Sequence, residues 1–179
     1  MSDYIREIGI PAVHFMPGFY MTGISGSMFR QSPPDNAWTL ALPIPSHTPI
    51  PLFDTARDLG KFIKGIVLNK EKALGKEVYG ATAYVKAEEI VATFKKLYPE
   101  AGATARYYEL PKDVYLNILT KQAGMPDFAA EELYENMQLM NVFGYYFGKT
   151  LDWSHSLLED PLTTWEEHAK NAKAWAELK

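Results

Sequence analysis

Apolar positions recur along most of this chain at one of two spacings, three to four residues or two, and the two alternate. From Thr55 to Leu68, Leu59, Phe62, Ile63, Ile66 and Val67 fall on one helical stripe. Lys86 to Tyr98 repeats the pattern with Ala87, Ile90, Val91, Phe94 and Tyr98. Pro111 opens a further helix at the position proline prefers, with Val114, Tyr115, Ile118 and Leu119 inward. A helix from about Asp127 to Tyr146 carries Ala130, Leu133, Tyr134, Met137 and Met140. The last helix starts near Thr163 or Thr164, where a hydroxyl can cap it, and runs to the end with Trp165, Ala169, Ala172 and Ala176 aligned.

Between these lie short strand-like runs. Ala12 to Met16 is apolar on both faces except for His14, as in the middle of a helix-covered parallel sheet. Trp38 to Leu42 alternates, Ile50 to Thr55 returns to the core, and Val78 to Thr82 and Ala103 to Leu110 complete the set. Pro17 to Pro34 is rich in Gly, Ser and Pro and reads as a long loop, with a helical turn around Met21 to Arg30. The first residues resemble the last turns of an amphipathic helix, with Tyr4, Ile5 and Ile8 aligned and Gly9 as cap. So short a helix is marginal alone, so the opening reads as a cut. The expected class is α/β in one domain, 1–179, incomplete at its N-terminus.

Composition narrows the chemistry. With 179 residues, 47% hydrophobic and 22% charged, the chain has the balance of a globular domain. A net charge of -4 gives no electrostatic reason to expect nucleic acid as a direct ligand. The lysines from Lys61 to Lys76 interleave with Glu71 and read as a solvated face. There is no cysteine, which excludes disulfides, a catalytic thiol and thiolate zinc sites. The longest apolar stretch is broken by Pro17 and Gly18 and is too short to span a bilayer, so no membrane association is expected and a cytoplasmic protein is the default.

No motif compels a reaction. The run Gly18-x4-Gly23-x2-Gly26 lacks the Lys and Ser/Thr of a phosphate-binding loop and the spacing of the dinucleotide fingerprint. His14, His47, His155 and His168 fall in no metal-ligand spacing; His14 reads as a hydrogen-bonded core histidine and His168, after Glu166 and Glu167, as part of a surface helix. No G-x-S-x-G elbow anchors a Ser/His/Asp constellation. Met137 and Met140 read as core filler. Asp54 or Asp58 is expected to cap the helix beginning near Thr55. Tyr145 and Lys149 have the Y-x-x-x-K spacing of short-chain dehydrogenases, in which the lysine lowers the tyrosine pKa. Gly144 and Gly148 weaken the helix that would hold the pair on one face, and the match reads as fortuitous.

Three segments in order carry a resemblance. Ile5 to Met21, IREIGIPAVHFMPGFYM, resembles the helix–strand–loop of NmrA-like proteins, a branch of the short-chain dehydrogenase superfamily. Ile50 to Ile63 is similar to that family's strand-to-helix segment with its D-x-G signature, here Asp58, Leu59 and Gly60. Leu162 to Asn171 resembles the closing helix with its tryptophan. The resemblance implies a truncated Rossmann-like fold, namely the C-terminal part of the sheet with a small substrate lobe, and without the glycine motif of the dinucleotide site.

It further implies a protein related to NADP-linked oxidoreductases, acting on or sensing a small molecule. Other family members are non-catalytic redox-sensing regulators that bind proteins, and a biosynthetic enzyme reusing the lobe without nicotinamide is a third reading. The residues it places toward the nicotinamide are Pro17, Gly18, Phe19 and Tyr20; the competing reading of this loop is a tight turn after a strand. NADP binding by this chain alone is expected to be weak or absent. The partner is a small-molecule substrate or a protein, and self-association is expected through the strand Ala12 to Met16, which lacks a neighbour on one side.

Overall fold

The computed structural model describes residues 2–178. In chain order the elements are α1 (Ser2–Glu7), β1 (His14–Pro17), β2 (Phe19–Tyr20), α2 (Met21–Gly23) and a wide turn over Ile24–Met28. β3 (Phe29–Ser32), β4 (Ala37–Leu42), β5 (Pro49–Phe53), α3 (Thr55–Leu68), α4 (Lys70–Ala73), β6 (Glu77–Gly80) and β7 (Ala83–Lys86) follow. Then come α5 (Ala87–Leu97), α6 (Pro99–Gly102), β8 (Arg106–Glu109), α7 (Lys112–Asn117), a second wide turn Ile118–Gln122, α8 (Asp127–Phe143), α9 (Asp152–His155), α10 (Trp165–Asn171) and a 3-10 turn Lys173–Leu178. The final helix therefore ends earlier than expected, and Lys179 lies outside the described residues.

Three small sheets carry the chain: β1–β6, β2–β5–β7 and β3–β4–β8. The pairs β1–β6, β2–β5 and β4–β8 are parallel, with helices and further strands in the intervening chain; β3–β4 and β5–β7 are antiparallel. Among the described residues β1 has a strand on one side only, and Met16 is exposed on it. Parallel pairing with helices in the intervening chain is the α/β architecture the alternation of spacings implied.

The main core lies between β3–β4 and α5, where Phe29, Leu40, Ile90 and Phe94 are fully buried with Trp175 from the closing turn. The stripe expected for α5 is buried in full: Ala87, Ile90, Val91, Phe94 and Tyr98. Ala176 was expected to continue the stripe of α10, but the chain leaves the helix at Ala172, and in the tighter turn Trp175 takes the inward place. α8 ends at Phe143 and not Tyr146, because Gly144 at φ 78° takes the chain out of the helix.

α3 forms where expected but turns a different face inward. Phe62 is fully buried, together with Asp58 and Gly65, while Leu59, Ile63 and Val67 of the predicted stripe are 41–63% exposed. Gly65 permits this. A Cβ there would stand 2.7 Å from the Leu157 carbonyl oxygen, so the segment 157–163 runs directly against the helix backbone. Asn69 continues the seam, its amide donating to the carbonyls of Gly65 and Leu157. Lys64 meets Glu159 and Asp160 on the surface.

Candidate functional site

Asp54, just before α3, is its N-cap: Oδ1 accepts from the amides of Ala56 and Arg57, both at 3.2 Å. Asp58 is not a cap. It is fully buried, and its carboxylate accepts from the amide and hydroxyl of Thr163, both at 2.9 Å, and from the Lys61 ammonium at 2.8 Å. The D-x-G aspartate thus fastens the chain entering α10 to α3, across 105 residues of sequence.

His168 is not on a surface either. It is buried, its Nδ1 is 2.8 Å from Asp54 Oδ2, its Nε2 is 3.1 Å from Ser25 Oγ, and Trp165 stacks on its ring. The order Ser25–His168–Asp54 is that of a Ser–His–Asp relay. Ser25 is itself buried and 3.3 Å from the Met21 carbonyl oxygen, and it does not line the cavity described below. A nucleophile needs access to its substrate, and this serine is enclosed; the relay joins the wide turn, the start of α3 and α10 into one unit.

The feature open to a ligand is a cavity of about 820 Å³ between the β3–β4 strands and helices α7 and α8. Ala41 and Leu42 supply its floor, Ile118 and Leu119 one wall, and Leu133, Met137 and Met140 another. Met137 and Met140 therefore serve both the core and the cavity; flexible thioethers suit an adaptable wall. Polar groups are few: Ser27, Arg30, Tyr115, Gln122, Asn136 and Tyr145. The size and mostly apolar lining are those of a small-molecule pocket.

The loop expected to face a nicotinamide adjoins this cavity. Phe19 lines it, and Tyr145 on the lining donates a hydrogen bond to the Pro17 carbonyl at 3.3 Å. Tyr146 does the same to Met16 at 2.9 Å, so the stretch after α8 is clamped onto the end of β1. Gly18 is buried, and a Cβ would lie 2.5 Å from the Pro51 carbonyl oxygen. The glycine serves close packing against β5. Tyr20, 48% exposed, packs against Phe53 and is not among the lining residues. Of the four predicted residues, Phe19 alone lines the cavity.

Tyr145 and Lys149 do not share a helix, since α8 has ended. Burial, and then the neighbouring Tyr20, pushes the Tyr145 phenol up from its ordinary value, the reverse of what a lysine-activated acid requires. Tyr115, also raised by burial, is likewise a neutral donor on the cavity wall. Among the other histidines, His155 Nε2 is 2.8 Å from the Ala81 carbonyl oxygen, His14 is half-buried at the start of β1, and His47 is exposed. No group of His, Asp and Glu able to hold a metal occurs among the described residues. No described helix is long and apolar enough to cross a membrane.

A family model, that of the NmrA-like family, matches residues 1–169. The chain belongs to the NmrA-like family. Solved structures agree on the fold. NmrA, described as a negative transcriptional regulator in complex with NADP, superposes with a TM-score of 0.68 at 16% identity, over 94% of this chain and 54% of its own. An NADPH-dependent quinone oxidoreductase from Escherichia coli gives 0.68 at 16% identity, over 95% and 58%. An isoflavone reductase gives 0.64 at 16%, over 95% and 55%. The chain therefore spans little more than half the length of these neighbours. No characterised protein matches it by sequence comparison.

Proposed function

We propose that this chain is the substrate-binding part of an NADP-linked oxidoreductase of the NmrA-like family, with a small apolar molecule held in the cavity between β4 and α8. The observation that carries the reading is the placement of that cavity. Its wall includes Phe19, which belongs to the Pro17–Tyr20 loop, and Tyr145, which donates to the Pro17 carbonyl. A substrate there would present its reacting end at the loop which the family resemblance assigns to nicotinamide. The reductase neighbours support the same assignment by their described activities.

NADP, when bound, would supply the hydride. The residues described here fit at most its nicotinamide end, through the exposed faces of Pro17 and Tyr20. They do not fit its phosphates: no glycine turn opening a helix stands after a strand among them, and Gly18 is packed against carbonyl oxygens and not open to an anion. No hydride step is therefore derived from this chain alone.

The reading is tested by titrating the chain with menadione, an apolar quinone, and following quenching of its intrinsic fluorescence. Saturable binding that disappears in Leu133→Trp, which fills the cavity from α8, is the expected result. Binding left intact by Leu133→Trp in a folded variant, or no saturable binding at all, would place the substrate elsewhere.

A further inference from the structure

The cavity holds one charged residue among its described lining, Arg30, and no aspartate or glutamate. Arg30 lies on β3, and its register partner on β4 is Thr39. Thr39 is flanked on its other side by a second arginine, Arg106 of β8. The two arginines differ in what they meet. Arg106 is neutralised by a bidentate pair with Asp35, at 2.7 and 2.9 Å. The Arg30 guanidinium has neither ion pair nor hydrogen bond to any described residue, although its backbone pairs with β4. Arg30 is exposed at the mouth of the cavity, and with no carboxylate in the described lining its guanidinium is open to a ligand that brings its own negative charge.

We infer that the cavity selects an apolar molecule bearing a single anionic group, such as an aromatic carboxylate, with the anion paired to Arg30 and the apolar body between Ala41 and Met137. Arg30 is the specificity-determining residue. Its planar fork matches a carboxylate in two parallel hydrogen bonds, which an uncharged amide of the same shape cannot reproduce. The neutral donors Tyr115 and Gln122 orient the body without competing for the charge. This inference deepens the cavity reading above and rests on it.

The test uses the whole chain with biphenyl-4-carboxylate and its uncharged isostere biphenyl-4-carboxamide, titrated by calorimetry at low salt without any nucleotide. The carboxylate is expected to bind about fivefold more tightly, the upper end for a solvent-exposed pair. Arg30→Gln should bring the two within about twofold of each other, leave the amide affinity unchanged, and retain the circular dichroism of the parent. Added salt should weaken the carboxylate and not the amide. Equal affinities in the parent protein would overturn the charge selection while leaving the apolar cavity intact. A preference that survives Arg30→Gln would overturn the role of Arg30. Failure of both probes to bind would overturn the cavity reading itself.

Discussion

Removing the carboxylate of Asp58 isolates the connection between α3 and the closing helix. Asp58→Ala leaves two buried donors on Thr163, the amide and the hydroxyl, both of which now end at the carboxylate at 2.9 Å. An unsatisfied buried donor costs about 1–3 kcal/mol. Lys61 keeps its 2.7 Å hydrogen bond to the Pro161 carbonyl when the carboxylate is gone, so its ammonium is not left without an acceptor. The sum is about 2–6 kcal/mol, against a total stability of roughly 5–15 kcal/mol. At ~2–4 °C per kcal/mol for a chain of this size, the midpoint should fall by on the order of 10 °C. Asp58→Asn keeps one acceptor oxygen and should lie between. Had Asp58 been only a helix cap, either change would cost about 0.5–2 kcal/mol. The assay is urea unfolding followed by circular dichroism, with Thr163→Val and the double variant closing a cycle. A loss below about 1 kcal/mol for Asp58→Ala, or strict additivity in the cycle, would refute the reasoning.

The remaining predictions concern other parts of the molecule. His168→Ala should cost about 2–4 kcal/mol, because Asp54 Oδ2 loses its donor and a cavity opens beside Trp165 while Oδ1 keeps its two amides, whereas Ser25→Ala should cost about 1 kcal/mol; equal losses in urea unfolding would show that Asp54 does not depend on the imidazole. NADPH titrated calorimetrically into the chain should bind more weakly than ~1 mM, and a low-micromolar constant would contradict the misfit at the phosphates. The hydrogen bond from Arg106, then that from the Ala37 amide, lowers Asp35 from 3.8 to about 2. A depressed carboxylate stabilises the fold above its ordinary value and loses that contribution as pH falls through about 2. The difference in unfolding midpoint between the parent and Arg106→Gln should therefore be constant near pH 6 and shrink between pH ~4 and ~2; a difference that grows on acidification would reverse the assignment. Light scattering at tens of micromolar should show self-association through the free side of β1, and a clean monomer would show that edge to be protected.

What the sequence revealed followed from how far each residue's partner lay along the chain. The α5 stripe was legible, and the cap of α10 was narrowed to Thr163 or Thr164, because spacing within a few residues decides them; the structure places it at Thr164. α3 was legible as a helix but not as an oriented one. Its buried face is built on Asp58 and Gly65, and no apolar pattern reports a carboxylate satisfied by Thr163 or a glycine chosen for Leu157. His168 was misread for the same reason. Glu166 and Glu167 make its neighbourhood polar, while the group that justifies its burial lies 114 positions earlier. The cavity was invisible as a whole, since its lining comes from six separate stretches, although Phe19, Met137 and Met140 had each been noticed singly. Arg30 carried no local signal; its significance lies in what does not face it.

The seam between α3 and residues 157–163 bears on how the molecule is assembled during synthesis. Its contacts span 88 to 105 positions, so α3 leaves the ribosome roughly a hundred residues before the strand of chain that completes it. Until then the Asp58 carboxylate and the groove left by Gly65 stay hydrated, and the helix waits as an unfinished template. Closing so long a loop is entropically slow, and it must precede any gain from the contacts it brings. Docking of Thr163 should then be a late, cooperative event that locks His168 and the relay with it. The order of emergence thus leaves the enclosed polar groups of this fold for the end, and a nascent chain stalled before Leu157 would be a natural target for chaperones.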